Sequence, residues 1–501
     1  MGTKQPELEQ KRRIVLGGVE VRPEASSLLP EEAARRYLAL PLRFDGQALV
    51  VALADANDLV VLDDLRIFTD REIIPKPVAR ADIEKAIGQV YKGHSDLEEQ
   101  INKVPSRVES KQRDSESFEA GAPVVRLAQL IINESVQARA SDVHLDPQDG
   151  ALQVRCRVDG IMSDIMKLPK HIEPALVARF KILAGLDVAE KRKPQDGHAG
   201  ACVAGEGFDL RVATLPTICG ERVVIRLLRK EKALFGLDDL GFSRANLEIF
   251  KQACHRPYGL IIVSGPTGSG KSTTLYGAVK ELNDASKNIV TIEDPVEYHM
   301  AGVNQVQVDA KTGLTFARGL RALLRADPDI VMVGEVRDLE TAKTAVEAGL
   351  TGHLVFSTLH TNDASSASVR LIEMGIRPFL LADSAICVQA QRLVRRLCEK
   401  CRAPYVPPAS LRERLGVNEA EGFCRSSGCS FCGGTGFKGR IGVHEVFLVS
   451  SAVRSLILDR APSDEIRKVA VAEGMKTLLA DGVSKALAGL TSLEEVLRVV
   501  T

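Results

Sequence analysis

Short apolar runs alternate with amphipathic stretches through the middle of the chain. From Gly241 onward the runs are "GLIIVSG", "NIVTIED", "DIVMVGE" and "HLVFSTL", and each is followed by a stretch with helical periodicity. Strands that are apolar on both faces and separated by helices predict a parallel sheet covered on both sides. We therefore expect the functional residues of this region at the carboxyl ends of the strands.

The preceding region has a different pattern. An amphipathic helix, "PVVRLAQLIINESVQARA", is followed by "ALQVRCRVDGIMSDIMKL", in which two alternating strands meet at Asp159 and Gly160. An Asp-Gly pair between two such strands is typical of a β-hairpin. Together with "FDLRVATLPTICGERVVIRLL", these elements predict a compact α+β domain.

Composition marks the boundaries between the remaining parts. Residues 103–120 are polar, charged and nearly free of aliphatic side chains, which is typical of a linker. The predicted parts are an N-terminal α/β domain (1–102), a flexible linker (103–120), the α+β domain (121–235), the parallel-sheet domain (236–397), a cysteine-rich subdomain (398–440) and a helical C-terminal region (441–501).

Charge and aromatic content narrow the choice of partners. Lys and Arg together number 66, and so do Asp and Glu, so no general attraction to nucleic acid or anionic lipid is expected. Aromatic residues make up 4% of the chain and Trp is absent, which argues against stacking of single-stranded bases. The first residues lack a signal-peptide core, and no apolar run approaches the ~20 residues of a membrane span. The sequence thus predicts a cytoplasmic protein that contacts a membrane only through partners.

The segment "GPTGSGKST" fits the phosphate-binding pattern G-x-x-x-x-G-K-[ST], placed between an apolar strand and a helix. Backbone N–H groups of such a loop converge on phosphate oxygens at the helix N-terminus. Lys271 is predicted to reach the β and γ phosphates, and Ser272 to bind Mg²⁺. The predicted nucleotide-binding residues are Gly265, Pro266, Thr267, Gly268, Ser269, Gly270, Lys271, Ser272 and Thr273.

Acidic residues follow two of the later strands. Glu293 and Asp294 end "IVTIED", and Glu335 follows "DIVMVG". Gly334 stands where a metal-binding Asp is usual. We therefore expect Mg²⁺ to be shared between Ser272 and water-mediated contacts to Glu335 or Asp294. Glu335 is the candidate for polarising the attacking water.

Histidines and arginines complete the set of candidates. His360 follows the strand "HLVFSTL" and is expected near the γ phosphate, where it would sense the nucleotide without acid–base work. His353 can equally be a structural histidine. Arginine neutralises the charge that develops on a transferred phosphoryl group. The candidates are Arg318, Arg321, Arg325 and Arg337 in the parallel-sheet domain and Arg211 and Arg226 in the α+β domain.

Two C-x-x-C pairs lie downstream of the parallel-sheet domain. Cys398 and Cys401 are separated from Cys429 and Cys432 by 27 residues, a spacing that predicts a closed, structural S₄ site for Zn²⁺. A redox role would require a single C-x-x-C that opens a helix in a thioredoxin-like setting, which this sequence lacks. Cys424 is a fifth nearby thiol that could substitute for one ligand.

The set "GPTGSGKST", "TIEDPVEY", "DPDIVMVGEVRDLETA" and "GHLVFSTLHTNDA" resembles the secretion ATPase superfamily. Within it the chain is similar to the type II secretion and type IV pilus assembly ATPases, over about residues 121–445 and more weakly at the N-terminus. The resemblance implies a RecA-like P-loop NTPase core, a preceding α+β (PAS-like) domain, an N-terminal α/β domain that binds partners, a tetracysteine zinc subdomain and a helical C-terminal tail.

The resemblance also implies an activity and a set of partners. It implies a homohexameric ring that hydrolyses ATP with Mg²⁺, and an inner-membrane platform protein and a membrane-anchored partner that hold the ring at the inner membrane. The implied catalytic residues are Lys271, Glu293, Asp294, Glu335 and His360, with Arg211 and Arg226 reaching the phosphates from the preceding domain and Arg440 near the nucleotide.

Several functions remain open at this point. The main interpretation is pseudopilus assembly in type II secretion, and the alternative is type IV pilus extension. The acids after the strands argue against a non-hydrolysing nucleotide-binding adaptor. The neutral charge argues against a nucleic-acid translocase, for which "QRLVRRLC" is the one basic cluster to test. Paired N-terminal motifs for cyclic di-GMP are not found in the sequence, and no such ligand is assigned.

Overall fold

The chain forms two compact units in a computed structural model. The structure describes residues 14–90 (except 17–18, 22, 27, 30, 46–47, 56–57, 70, 85 and 89), 122–229, 235–309, 311–417 and 422–500. The first unit comprises the described residues of Met1–Glu231, Cys398–Cys401 and Ser426–Lys438, and the second those of Lys232–Leu397, Arg402–Arg425 and Gly439–Thr501. The predicted linker, 103–120, lies outside the described residues.

The N-terminal part of the first unit is a small α/β fold, as predicted. Strands β3 and β4 pair antiparallel, β4 and β5 pair parallel, and Leu40, Leu49 and Leu65 lie in their common core. The elements are β1 (Ile14–Leu16), β2 (Val19–Val21), α1 (Pro23–Ser26), α2 (Glu31–Tyr37), β3 (Ala39–Asp45), β4 (Ala48–Leu53), α3 (Leu59–Thr69) and β5 (Ile73–Pro77). Helical residues at 80–84 and 86–88 follow β5.

The α+β domain follows as a second core of the first unit. Six strands pair antiparallel in the order β8-β7-β6-β11-β10-β9, and the predicted hairpin turn lies at Asp159 and Gly160, which both have positive φ. Both helices pack on one face of this sheet. The elements are α4 (Ala122–Gln137), β6 (Ala140–Pro147), β7 (Ala151–Val158), β8 (Ile161–Pro169), α5 (Glu173–Leu183), β9 (Gln195–Val203), β10 (Glu206–Thr217) and β11 (Gly220–Arg229).

The second unit is built on a seven-stranded sheet in the order β14-β13-β15-β16-β12-β17-β20. The strands from β14 to β17 pair in parallel, which confirms the predicted arrangement. The elements are α6 (Arg244–Cys254), β12 (Gly259–Ser264), α7 (Lys271–Leu282), β13 (Ile289–Glu293), β14 (Asn304–Gln307), α8 (Phe316–Leu323), β15 (Ile330–Val333), α9 (Leu339–Leu350), β16 (Leu354–Leu359), α10 (Ser365–Glu373), α11 (Pro378–Ser384) and β17 (Ala385–Leu397).

The sheet is covered on both faces because alternate residues of its strands enter different cores. Leu260 and Ile262 of β12 belong to one apolar cluster, whereas Ile261 and Val263 belong to the other. Successive side chains of a strand point to opposite faces, so a strand buried on both sides must be apolar throughout. This requirement explains the continuous apolar runs in the sequence.

The C-terminal region is helical after its last strand. The elements from residue 402 onward, including those of the cysteine-rich segment, are β18 (Arg402–Pro404), α12 (Ala409–Arg414), β19 (Cys424–Ser426), β20 (Phe437–Leu448), α13 (Ser451–Leu458), α14 (Ser463–Ala472), α15 (Leu478–Leu487) and α16 (Leu493–Val500). The Glu495 carboxylate of α16 binds Arg395 of β17 and Arg498. Burial raises the pKa of Glu495, but hydrogen bonds from the two arginines outweigh it and lower this pKa to about 2. No helix in the described parts of the chain is long and apolar enough to cross a membrane.

Candidate functional site

The carboxyl ends of four neighbouring strands bring the predicted residues to one edge of the sheet. Strands β13, β15, β16 and β12 are adjacent and parallel, so the segments that follow them leave the sheet on the same side. The side chain of Ser264, at the end of β12, lies 2.5 Å from that of Thr361, after β16. Thr358 of β16 donates to the backbone oxygen of Gly334, after β15, at 2.7 Å. These bonds join the loops that carry the candidate residues.

The phosphate-binding loop connects β12 to α7. Helix α7 begins at Lys271, and Gly270 before it has a φ of 90°. Gly265 has a φ of 148°, and a Cβ there would lie 2.6 Å from both the backbone oxygen of Gln391 and the Ser269 Oγ. Only glycine combines this backbone conformation with such a close approach. Ser272 and Thr267 are exposed in the same loop and helix turn, whereas Ser269 and Lys271 are buried.

Lys271 is buried, and none of the carboxylates that the structure describes is bonded to its ammonium group. Its Nζ donates to the backbone oxygens of Gly265 at 2.8 Å and Pro266 at 3.2 Å. Burial, together with the charge of Arg392, lowers the pKa of Lys271 to about 8, while Glu335 acts in the opposite direction. An anion held by the loop would supply the counter-charge that favours protonated Lys271.

Glu335 is held between a histidine and an arginine. Its side chain is 14% exposed, one oxygen lies 3.6 Å from the Nε2 of His360, and the other pairs with Arg337. The Gly334 position has little space for a side chain, because a Cβ there would lie 3.2 Å from the Ile292 oxygen. This crowding gives a physical reason why no metal-binding Asp precedes Glu335. Sequence reasoning named Arg337 only as one arginine among several.

The two acids at the carboxyl end of β13 lie in different surroundings. Glu293 is buried, accepts from Thr291 at 2.6 Å and Gln305 at 3.2 Å, and also accepts from the Tyr276 hydroxyl. Burial and this carboxylate raise the pKa of Tyr276, so the phenol stays a donor. Asp294, the next residue, is exposed. The arrangement gives Glu293 the contacts of a positioning group and leaves the Asp294 carboxylate accessible to a metal or its waters.

The arginines are distributed over both units. Arg211 and Arg226 face each other as directly paired residues of β10 and β11 in the first unit, and Arg226 donates to Asp142 at 3.1 Å. Arg440 is exposed on β20.

The other candidates of the second unit have contacts near their own elements. Arg318 donates to the Gly313 oxygen at 3.2 Å, Arg325 donates to the Arg321 oxygen at 3.0 Å, and Arg321 pairs with Glu340. His353 lies before β16 and contacts the Ala348 oxygen at 3.1 Å, so it belongs to the opposite edge of the sheet from His360.

Four cysteine sulfurs converge in the first unit. The Sγ atoms of Cys398, Cys401, Cys429 and Cys432 all lie within 4.8 Å of one another. The measured separations are 3.7 Å for Cys398 and Cys429, 3.9 Å for Cys401 and Cys432, and 3.8 Å within the second pair. A tetrahedral site with Zn–S bonds of ~2.3 Å has sulfurs about 3.8 Å apart. The four sulfurs therefore fit Zn²⁺ in both number and spacing.

The chain around the second cysteine pair is shaped for this cluster. The backbone N–H groups of Cys429 and Gly436 donate to the Cys432 sulfur at 3.1 and 3.2 Å. Gly428 has a positive φ, and a Cβ there would lie 2.2 Å from the Gly434 oxygen. Burial and hydrogen bonds with the Cys398 and Cys429 thiols raise the pKa of Cys401 to about 12. Cys424 is not among the converging sulfurs and packs against Gly489 instead.

Comparison with known proteins shows to which family this chain belongs. A family model described as "Type II/IV secretion system protein" matches residues 117–498, and one described as "MshEN domain" matches residues 10–97. The first match covers more than half of the chain. This chain belongs to the type II/IV secretion system protein family.

Relatives in this family carry two kinds of name. The type IV pilus assembly ATPase PilB of Thermus thermophilus is 44% identical over 484 residues, which are 95% of this chain and 54% of that protein. The type II secretion system protein E of Aeromonas hydrophila is 47% identical over 382 residues, 75% of this chain and 76% of that protein. The chain thus spans about half the length of the Thermus relative. It is a member of the secretion ATPases, as its motifs indicate.

A solved structure supports the same placement. The crystal structure of the pilus retraction motor PilT with bound ADP is 28% identical, covers 74% of this chain and 95% of its own, and has a TM-score of 0.51. The fold of a secretion ATPase, predicted from the motifs, is therefore confirmed.

Two buried glutamines of this secretion ATPase were not among the candidates. Gln389 and Gln391 lie on β17, and Gln391 contacts the phosphate-binding loop directly. The signal that could have found them is the occurrence of two amides, two residues apart, within the apolar run "AICVQAQRLV". Buried polar side chains in an otherwise apolar strand need partners, and here one partner is the loop.

Proposed function

We propose that this chain is the ATP-hydrolysing motor that drives pseudopilus assembly in a type II secretion system. The observation that carries the proposal is the convergence of the phosphate-binding loop, Glu335 and His360 at one sheet edge in a member of this family. A scaffold for nucleotide binding alone would not need a partly buried carboxylate oriented by two basic groups beside the loop.

The proposed chemistry assigns a part to each residue. Backbone N–H groups of residues 265–273 and the Lys271 ammonium bind the phosphates of ATP. Ser272 binds Mg²⁺, with water-mediated contacts to Glu335 or Asp294. Glu335 polarises the attacking water, and Glu293 positions the loop that carries Asp294. His360 contacts the Glu335 carboxylate and so is placed to report the state of the γ phosphate.

Residues outside the phosphate-binding loop complete the proposal. Arg211, Arg226 and Arg440 are assigned to the phosphates of ATP by the family resemblance, and Arg337 adds positive charge beside Glu335. The cysteines at 398, 401, 429 and 432 bind one structural Zn²⁺, which supplies folding energy and no chemistry because all four positions are taken by protein.

The proposed assembly is a homohexamer on the cytoplasmic side of the inner membrane. It engages an inner-membrane platform protein and a membrane-anchored partner, with the N-terminal domain as partner-binding part, and contacts the membrane only through them. A nucleic-acid translocase is less favoured, because two arginines of "QRLVRRLC" have internal partners. Arg395 binds Glu495, and Arg392 donates to the Asn362 oxygen at 2.7 Å.

Type IV pilus extension is the second candidate, because the pilus assembly ATPase of Thermus thermophilus matches 95% of this chain at 44% identity. The type II secretion system protein E of Dickeya dadantii matches 95% of this chain at 41% identity, so relatives of both names cover the chain equally. The chemistry at the site is the same for both, so the substrate filament distinguishes them.

Complementation of a strain that lacks the gene tests the proposal. Wild-type chain should restore both export of secreted proteins and assembled pseudopilin, and Glu335→Gln should restore neither at equal protein level. Glu340→Gln, which changes an exposed acid on α9, serves as the control and should restore both. Restoration of export by Glu335→Gln would favour a nucleotide-binding adaptor, and restoration of pili without any effect on export would favour pilus extension.

A further inference from the structure

Two amides are buried on the strand beside the phosphate-binding loop. Gln389 and Gln391 are 0% and 2% exposed and lie on the same face of β17. Strand β17 pairs in parallel with β12, with Gln389 opposite Val263 and Ala390 opposite Ser264. An amide buried in an apolar sheet costs free energy unless its donors and acceptor are paired. The partners of these two side chains therefore indicate what they do.

Gln391 joins the phosphate-binding loop to the helix that follows it. Its Nε2 donates to the backbone oxygen of Ser269 at 2.7 Å, and its Oε1 accepts from the Thr274 hydroxyl at 2.8 Å. In a planar trans peptide, the C=O and the following N–H point in opposite directions. The bond to the Ser269 oxygen thus turns the N–H of Gly270 away from Gln391, on the side where a loop of this kind binds phosphate.

A second amide and a histidine continue the contact. Gln389 donates through Nε2 to the Oε1 of Gln391 at 2.8 Å, and the same group lies 3.1 Å from the Nδ1 of His444. The Ser269 oxygen can only accept, so the Nε2 of Gln391 must donate to it. The Oε1 of Gln391 then accepts from the Nε2 of Gln389. His444 must accept at Nδ1, and its Nε2 then carries the proton toward the Leu240 oxygen at 3.3 Å.

The surroundings of His444 favour this neutral form. The ring stacks on Phe242, with centroids 3.8 Å apart and an angle of 11° between the planes. Burial, with the nearby charge of Lys485, lowers the pKa of His444 to about 3. The His444 backbone N–H donates at 2.8 Å to Asp481 of α15, which also pairs with Lys485. The series of contacts therefore runs from the loop to the C-terminal helices, all within the second unit.

We propose that Gln391 is a positioning residue for the phosphate-binding loop, and that Gln389 and His444 hold Gln391 in place. We name Gln391, Gln389 and His444 the buried relay. The relay presents the loop N–H groups to the phosphates of ATP and ADP and ties their orientation to helix α15. This inference rests on the proposed nucleotide site, and it predicts weaker nucleotide binding, with KM raised more than kcat is lowered, when the relay is broken.

Binding of Mg²⁺ with a fluorescent ADP analogue to the full chain tests the first part. Gln391→Glu keeps an acceptor for Thr274 but places an oxygen against the Ser269 carbonyl, so we expect the Kd to rise at least tenfold. Ser384→Ala is the matched control, because Ser384 is equally buried and, among the described residues, its hydroxyl bonds only to the Leu381 oxygen of its own helix. Its Kd should stay within twofold of wild type. A Gln391→Glu protein with a wild-type melting curve and a Kd within twofold of wild type would overturn the proposal.

Two further comparisons keep the test independent of folding and of the site itself. Gln389→Leu and His444→Phe should each raise the Kd about threefold, and the double variant should raise it no more than the larger single change, because both act through Gln391. Multiplied effects in the double variant would contradict the relay. If Lys271→Ala binds the analogue as wild type does, the proposed nucleotide site is wrong. If Lys271→Ala loses binding while Gln391→Glu keeps it, the relay alone fails.

Discussion

Glu335 and Glu293 both lie at the carboxyl ends of apolar parallel strands, yet their neighbours give them different tasks. Glu335 faces His360 and Arg337 and remains partly accessible, as a group that must reach a water molecule should. Glu293 is enclosed by Tyr276, Thr291 and Gln305. Three side-chain donors occupy most of the roughly four acceptor sites of a carboxylate. Its contribution to catalysis is therefore expected to be indirect.

Replacing Tyr276 tests the positioning role of Glu293. Tyr276→Phe removes the hydroxyl that donates to the buried carboxylate, so the free energy of unfolding should fall by about 2 kcal/mol. Chemical denaturation measures the change. Tyr258→Phe, at a half-exposed tyrosine, should leave the unfolding free energy within about 0.5 kcal/mol of wild type. Equal effects of the two variants would remove the argument for a fixed Glu293.

His444 predicts how stability depends on pH. Its folded pKa is about 3, against 6.5 as the ordinary value, so below pH 6.5 the unfolded chain binds a proton that the folded chain does not. The contribution of neutral His444 to the free energy of unfolding is complete above pH 6.5. It is lost as the pH falls toward 3, by about 1.4 kcal/mol per pH unit. Denaturation at pH 7, 6 and 5 should show this slope for wild type and a shallower one for His444→Gln. Identical slopes for wild type and His444→Gln would show that another group controls the loss of stability at low pH.

At the scale of elements, local patterns and long-range contacts differ in what sequence can reveal. The loop "GPTGSGKST", the hairpin at Asp159 and Gly160 and the two cysteine pairs are contiguous motifs whose geometry depends on a few neighbouring residues. The partners of Glu293 and Gln391 come from separate strands and helices, so only the folded chain identifies them. The identity of a residue as glutamine does not show whether its side chain is buried or exposed.

The start of helix α16 differs from what its local sequence pattern predicts. "SLEEV" has the pattern of a reciprocal capping box, and Ser492 does accept from the Glu495 backbone N–H at 3.2 Å. The Glu495 carboxylate, however, binds Arg395 and Arg498. A charged pair across elements is stronger than a hydrogen bond to a single backbone N–H, so the tertiary contact prevails.

The cysteine cluster makes a prediction about metal content. Freshly purified, unchelated protein should contain about one Zn²⁺ per chain, and Cys432→Ser should lose it because three sulfurs leave one tetrahedral position open. Cys424→Ser should keep the metal, since Cys424 is outside the converging set. Elemental analysis of the variants measures this. Zinc retained in Cys432→Ser but lost in Cys424→Ser would exchange the roles of the two thiols.

At the scale of the whole molecule, family and site lead to the same activity by separate routes. The family match rests on the similarity of nearly the entire second unit and much of the first. The site rests on strand ends that meet at one edge, a buried lysine whose pKa is lowered to about 8, and a carboxylate between two basic groups. Neither the family match alone nor the site alone would identify the function. Together they support the proposed ATP-hydrolysing motor.

Magnesium-dependent release of phosphate from ATP by the full chain tests the central claim most directly. Wild-type protein should release phosphate with Mg²⁺ present and lose this activity when Mg²⁺ is removed by a chelator specific for it. Glu335→Gln should bind ATP as wild type does and turn over at least ~100-fold more slowly, because the group that polarises water is gone. Equal turnover by wild type and Glu335→Gln would contradict the account.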